Sequence, residues 1–370
     1  MSQYTDLDLH ERVLLGPGPS IVPPRVLRAI AHPLVGHLDP DFIGLMNEVQ
    51  ELLRHVFQTE NRLTIPVSGT GSAGMEAALC NFIEPGDSVL IAVNGYFSER
   101  MYEIACRYGA EVRRLENPWG KVFTVKDVEQ ALREKPAKVV GMTHVETSTG
   151  TCQPMDGIAD VVHRYGGILV LDCVASLGGV AVNVDEWDVD VAHSATQKCL
   201  SCPPGLAPLT AGPRAVGILR NRKTKVANWY LDLSSIERYW GQERTYHHTA
   251  PVSMNYALRE ALRLIYEEGI EARVARHRAN AEMLWQGLEE MGLAPVVPLE
   301  YRPPSLTTVW IPEGVDDVAT RQRLLQEYNI IIAGGLGDFK GRVWRIGLMG
   351  YSSRPENVVL LLGALERLLA

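Results

Sequence analysis

The 370-residue chain is 46% hydrophobic and 22% charged, an ordinary globular balance with enough length for two domains. Its formal net charge of −8 argues against a nucleic-acid partner, because phosphate binding relies on an excess of lysine and arginine. Residues 1–8 have neither a basic nor an apolar signal region, and no apolar run reaches membrane-span length. Leu368-Leu369-Ala370 is not a peroxisomal address, so a cytoplasmic protein without membrane contact is the expectation.

In chain order, Leu63-Thr64-Ile65-Pro66-Val67 reads as a strand, and a helix is expected over residues 76–82. Between them lies Ser68-Gly69-Thr70-Gly71-Ser72-Ala73-Gly74. Backbone N–H groups at such a helix start, beside the Thr70 and Ser72 hydroxyls, make a phosphate cradle. Gly69, Gly71 and Gly74 also satisfy G-x-G-x-x-G, the dinucleotide signature of an NAD(P)-dependent oxidoreductase. That signature wants an acid about 20 residues on, where this chain has Asn94, so a single phosphate fits better. Strand-like runs recur at residues 88–93, 138–142 and 168–171, with helical periodicity at 98–108 and 125–133. Continuous apolar strands alternating with helices predict an α/β fold around a mostly parallel sheet covered on both faces.

Asp172 ends the last of those runs, and Lys198 follows 26 residues later, between His193-Ser194-Ala195-Thr196-Gln197 and Cys199-Leu200-Ser201-Cys202. Residues 256–293 read as long, charged and helical, and 307–311 and 343–347 as strands of a second, smaller domain. With no Pro/Gly/Ser-rich linker, a rigid boundary is expected near residues 268–270. It divides the chain into 1–267, an N-terminal segment with the large domain, and 268–370, the small domain.

A carboxylate at the end of a buried strand, then a lysine, suits pyridoxal phosphate (PLP). That cofactor needs a lysine for its Schiff base and an acid to keep its pyridine nitrogen protonated. Either residue alone is explained by a core strand and a surface lysine. Phe97 alone reads as core, and Arg345 alone as half of a surface ion pair. The six cysteines include one C-x-x-C, Cys199 to Cys202, without a second such pair or a spaced histidine, so no metal is expected. His247 and His248 point to opposite faces if extended, and buried hydrogen-bonding histidines are expected there. Glu146 is a candidate acid for two-carboxylate hydrolysis, but no second acid pairs with it.

Seven short segments, in order, resemble the class V aminotransferases of the fold-type I PLP enzymes, particularly the alanine–glyoxylate and serine–glyoxylate group. They are Leu14-Leu15-Gly16-Pro17-Gly18-Pro19, residues 68–76, Glu146-Thr147-Ser148-Thr149-Gly150, residues 172–179, Gln197-Lys198, Tyr246-His247-His248-Thr249 and Trp344-Arg345-Ile346-Gly347. The resemblance implies a large domain on a mostly parallel seven-stranded sheet, a smaller C-terminal α/β domain, and PLP-dependent transamination. It makes Lys198 the Schiff-base lysine and Asp172 the partner of the pyridine nitrogen. Thr70, Gly71, Ser72 and Gln197 would hold the phosphate, Thr147 the ring-oxygen side, and Phe97 would stack on the ring. Tyr246 and Thr249 would reach the phosphate of a neighbouring subunit, implying a homodimer with active sites at its interface. Arg345 would clamp the substrate carboxylate, with Gly18 and His37 beside the substrate.

A similar branch transaminates ureidoglycine with glyoxylate and resembles this chain in Gly36-x-x-Asp39-Pro40, Trp187 and Gln197-Lys198-Cys199-Leu200-Ser201. That branch typically has Gln at the His37 position and Asn at the Tyr246 position, amides able to hydrogen-bond a ureido group. These departures favour alanine or serine as donor and glyoxylate or pyruvate as acceptor, with ureidoglycine–glyoxylate transamination as the alternative. Cysteine desulfuration needs a catalytic cysteine on a mobile loop, whereas Cys152 and Cys173 sit beside the cofactor motifs. A non-catalytic PLP-binding scaffold is disfavoured by the intact Lys198, Asp172 and Arg345.

Overall fold

Seven strands form the central sheet of the computed structural model, which describes residues 7–369. Residues 1–6, which carry most of the stretch read for a signal, and Ala370 lie outside the described residues. Across the sheet the order is Leu63–Ser68, Leu206–Ala211, Val191–His193, Ile168–Asp172, Val139–Thr143, Ser88–Val93 and Glu111–Glu116. Leu206–Ala211 runs antiparallel to both neighbours, and the remaining pairings are parallel. Leu63–Ser68, Val139–Thr143, Ile168–Asp172 and Leu206–Ala211 are buried at every position, which is why three of them read as unbroken apolar runs.

Three strands escape the sequence reading. Glu111–Glu116 carries four charged residues and, as a sheet edge, has only exposed and half-buried positions. Val191–His193 has only three residues. Leu206–Ala211 contains Pro208, which reads as a breaker but lies opposite Pro66 in register. Neither proline has an N–H to donate, so the two lose nothing by facing each other.

The expected helix at 76–82 starts earlier, at Gly71, and runs to Cys80. Gly71 and Gly74 of the cradle lie in its first turn, with Gly69 just before the cap: a Cβ on Gly71 would stand 2.8 Å from the Cβ of Ala195, so only glycine lets the turn approach the strand layer. The long helical stretch divides into Val252–Glu268 and Ile270–Glu290 at Gly269, whose φ of 83° cannot continue an α-helix. Beyond it, Leu306–Trp310, Val343–Gly347 and Ala333–Gly334 form a three-stranded sheet around a separate core that includes Trp344, Ile346, Leu284 and Leu361. Val13–Leu14, near the other end of the chain, pairs in parallel with Ile330–Ile331, and Leu15 is buried in this same core. Among the described residues, no helix is long and apolar enough to cross a membrane.

Candidate active site

Asp172 lies at the carboxyl end of its strand, in register between Thr143 and His193, which places all three side chains on one face. The carboxylate is 3% exposed and its Oδ1 accepts a 2.8 Å hydrogen bond from the Val174 N–H. Burial pushes its pKa up to about 6, opposed by that bond and by the charges of Lys198 and Arg100. His193 adds no charge, because burial lowers its pKa to about 3.

Lys198 sits in the turn after Val191–His193, and the loop at residues 16–20 closes over it. The ammonium donates to the Pro17 carbonyl, and Ser20 Oγ donates to the Lys198 carbonyl at 2.7 Å. Gly18 is pressed against the lysine: at φ of +112° its Cβ would stand 2.6 Å from Lys198 Cδ, so any side chain there would displace the lysine. Burial lowers the Lys198 pKa to about 8, and the charges of Arg345 and Arg100 push the same way against Cys199 and Asp172.

A cavity of about 130 Å³ joins these groups. Thr70, Gly71, Ser72, Phe97, Thr147, Asp172, Gln197 and Lys198, all anticipated from the sequence, line it. The Thr70 hydroxyl makes no capping bond to its helix, leaving it and the helix's first N–H groups for a ligand. Gln197 Oε1 is buried without a partner; rotating the amide by a half-turn offers an N–H donor at the same place. An apolar slot bounded by Phe97 and Val174, an acid, a lysine and neutral donors at a helix N-terminus together fit PLP.

Arg345, from Val343–Gly347, is 6% exposed and makes no ion pair among the described residues, which removes the surface-pair reading. Its Nε donates to the Gly334 carbonyl at 2.8 Å and its Nη1 to the Thr147 carbonyl at 3.1 Å. Burial lowers its pKa to about 10, with Glu146 acting oppositely. A buried guanidinium without a carboxylate is costly unless a ligand supplies one. His37 and Tyr246 do not line the Lys198 cavity; their rings contact each other at 5.2 Å. Tyr246 is 57% exposed, and Thr249 is also exposed. Met75, Arg100, Val145, Val174 and Ala175 complete the lining, and no motif in the sequence points to them as site residues.

Several alternatives are corrected. Glu146 is not an available acid: its Oε2 accepts from the Phe97 and Ser98 N–H groups, both at 3.0 Å, and its Oε1 from Ser148 N–H and Oγ. It caps the helix Tyr96–Arg107, while burial raises its pKa. Glu146→Ala is therefore expected to lower folding stability by about 3 kcal/mol, measured by urea unfolding, since several buried donors lose their acceptor; unchanged stability would refute the capping role. The dinucleotide reading fails on topology, because Leu63–Ser68 pairs only with an antiparallel strand and is not followed by an adjacent parallel one. Asn94 is itself spent on the Lys121 carbonyl at 2.7 Å. Cys199 and Cys202 are buried free thiols, with Cys199 pushed up to about 11, and Cys152 to about 12. His247 and His248 are the buried, hydrogen-bonding histidines expected, although they do not point apart: their Nδ1 atoms are 2.8 Å apart, and His248 Nε2 lies 2.7 Å from Ser68 Oγ. No group of three or more potential metal ligands occurs among the described residues.

A seven-stranded sheet that delivers an acid and a lysine to one cavity, under a glycine-started helix, defines a fold-type I PLP-dependent transferase. The chain belongs to the class V aminotransferases, whose family profile matches residues 12–340, and it is an aminotransferase. It is 42% identical to the (S)-ureidoglycine–glyoxylate transaminase of Bacillus subtilis, over all of this chain and 93% of that one. With the alanine–glyoxylate aminotransferase of Rattus norvegicus it shares 41% identity, over 98% of this chain and 89% of the other. A crystal structure of alanine–glyoxylate aminotransferase from Nostoc sp. superposes with a TM-score of 0.98 at 52% identity, covering 100% of this chain and 98% of that one. The ureidoglycine–glyoxylate aminotransferase structure from Bacillus subtilis gives 0.97 at 44%, covering 99% and 94%.

Proposed function

We propose that this aminotransferase moves an amino group between alanine or serine and glyoxylate or pyruvate, with PLP at the Lys198 cavity of a cytoplasmic homodimer. The observation that carries the reading is the meeting of Lys198 and Asp172 in one cavity. PLP, when bound, supplies an electron sink for the bond broken at the amino acid's α-carbon. Lys198 would hold it through Nζ, and the same amine, with its lowered pKa, is placed to take and return the substrate α-proton. Asp172 would hold the proton on the pyridine nitrogen by charge pairing. Thr70, Gly71, Ser72 and Gln197 would hold the phosphate, Thr147 would support the ring-oxygen side, and Phe97 and Val174 would keep the ring in place. Arg345 receives the substrate carboxylate; Arg345→Lys is expected to raise the KM for the amino acid about tenfold or more, as a point charge replaces a fork. Unchanged Michaelis constants would remove the clamp role.

A second copy of the chain is supported by the exposure of Tyr246 and Thr249 away from their own subunit's cavity, and of Trp229 and Leu34, 67% and 71% exposed. Those residues suit a neighbouring subunit's site. Ureidoglycine–glyoxylate transamination is the second reading, favoured by the Bacillus subtilis relative. Against it stands the His37–Tyr246 pair, which occupies together the two positions where that branch typically has amides.

The test is the half-reaction: alanine, serine and ureidoglycine are added separately, without acceptor, to the purified PLP-loaded protein. Loss of the visible absorbance band with alanine or serine supports the main reading. Loss with ureidoglycine alone transfers the protein to the second reading, and no change with any donor sinks both.

A further inference from the structure

Arg100 is the one cavity-lining residue that carries charge and has no part in the scheme above. It projects from the helix Tyr96–Arg107, one turn beyond Phe97. Its Nη1 donates to Ser72 Oγ at 3.0 Å, and its guanidinium carbon lies 4.9 Å from the centroid of the Phe97 ring. The guanidinium thus spans the distance from the ring-stacking side chain to the first turn of the phosphate cradle. It makes no ion pair among the described residues, although acids flank it. Glu99 pairs with Arg114, and Glu103 with Arg107, so both are engaged elsewhere.

The charge balance of the cavity leaves a place for this cation. A phosphate monoester carries a charge of about −1.5 to −2 near neutral pH. The groups assigned to hold it, Thr70, the Gly71 backbone, Ser72 and Gln197, with Tyr246 and Thr249 reaching in from a second copy of the chain, carry no full positive charge. Lys198 is committed to the aldehyde, and Arg345 to the substrate carboxylate. His193, beneath the helix, is held neutral by burial. Arg100 is then the remaining positive side chain on the wall, already bonded to a cradle hydroxyl. A guanidinium presents several donors in a plane that matches phosphate oxygens.

We infer that Arg100 is a cofactor-binding residue, the counter-charge for the phosphate of PLP, positioned by its bond to Ser72 and its stacking on Phe97. The inference rests on the PLP reading and adds to it the group that makes retention of the cofactor depend on its phosphate.

The experiment compares the affinities of the cofactor-free full-length protein for PLP and for pyridoxal, which has the aldehyde and ring but no phosphate. Binding is followed by the visible absorbance of the lysine-linked form, in the wild type, Arg100→Gln and Arg100→Lys, with circular dichroism as the folding control. Arg100→Gln is expected to weaken PLP about 10- to 100-fold and pyridoxal by less than about threefold. Arg100→Lys is expected to fall between, because it keeps the charge without the fork. Equal weakening of both ligands would reassign Arg100 to packing against Phe97 and overturn the inference, as would unchanged PLP affinity in the folded glutamine variant. Failure of the wild type to bind either ligand would instead overturn the PLP reading itself.

Discussion

Lys198→Ala is expected to reduce turnover by about four orders of magnitude or more, combining loss of a general base with loss of the covalent anchor. The physical basis is the amine's environment. With its pKa lowered to about 8, about a tenth of the lysine is neutral at pH 7; at the ordinary 10.5 the fraction would be well under a thousandth. Burial thus favours the neutral, competent amine before any chemistry begins. Alanine removes this group together with its bond to the Pro17 carbonyl, while the Ser20 Oγ bond to the backbone carbonyl of residue 198 can still hold the loop. The variant is also expected to lack the visible band of the lysine-linked cofactor when PLP is added. Ordinary steady-state activity in a folded variant would sink the assignment.

Asp172→Asn is expected to lower kcat by about 10²- to 10³-fold, the scale of a buried charge pair that has lost one partner. The amide preserves shape and can still accept the Val174 N–H bond, so the loss isolates charge from packing. A pH signature accompanies it. The folded pKa of Asp172 is raised to about 6, so the carboxylate is charged above that pH and neutral below it. PLP uptake by the cofactor-free wild type should therefore weaken as pH falls through about 6, as the partner of the pyridine nitrogen loses its charge. The Asp172 charge also holds the Lys198 pKa up, so the lysine titration moves down in the asparagine variant, and the weakening near pH 6 that the wild type shows and the variant lacks is what reports Asp172. Identical profiles would show that the carboxylate does not act as the charge partner.

Much of the site was legible because its residues carry chemistry in short local patterns. Thr70, Gly71 and Ser72 follow a strand directly, Asp172 ends one, and Gln197 precedes Lys198, so each pattern needs only its neighbours to be read. Glu146 misled because its chemistry suggested an acid, whereas its partners, the N–H groups of Phe97 and Ser98, lie nearly fifty residues away. Arg100 passed unnoticed because a charged residue on an amphipathic helix ordinarily faces solvent, and only the packing of that helix turns it toward Ser72.

The α/β alternation, the cradle, the Asp172–Lys198 pair and the resemblance to class V aminotransferases are written in local stretches of sequence. These depend on strand periodicity, on glycine's access to close approach and on which side chains ionise, all properties of adjacent residues. Tertiary structure alone decided which distant groups share one space. The pairing of Val13–Leu14 with Ile330–Ile331, the closing of Gly18 onto Lys198, the burial of Arg345 without a carboxylate and the insertion of Leu206–Ala211 against its neighbours arise from packing between remote segments. The lowered pKa of Lys198 and the raised pKa of Asp172 belong to the same level, because desolvation is a property of the assembled cavity and of no residue alone.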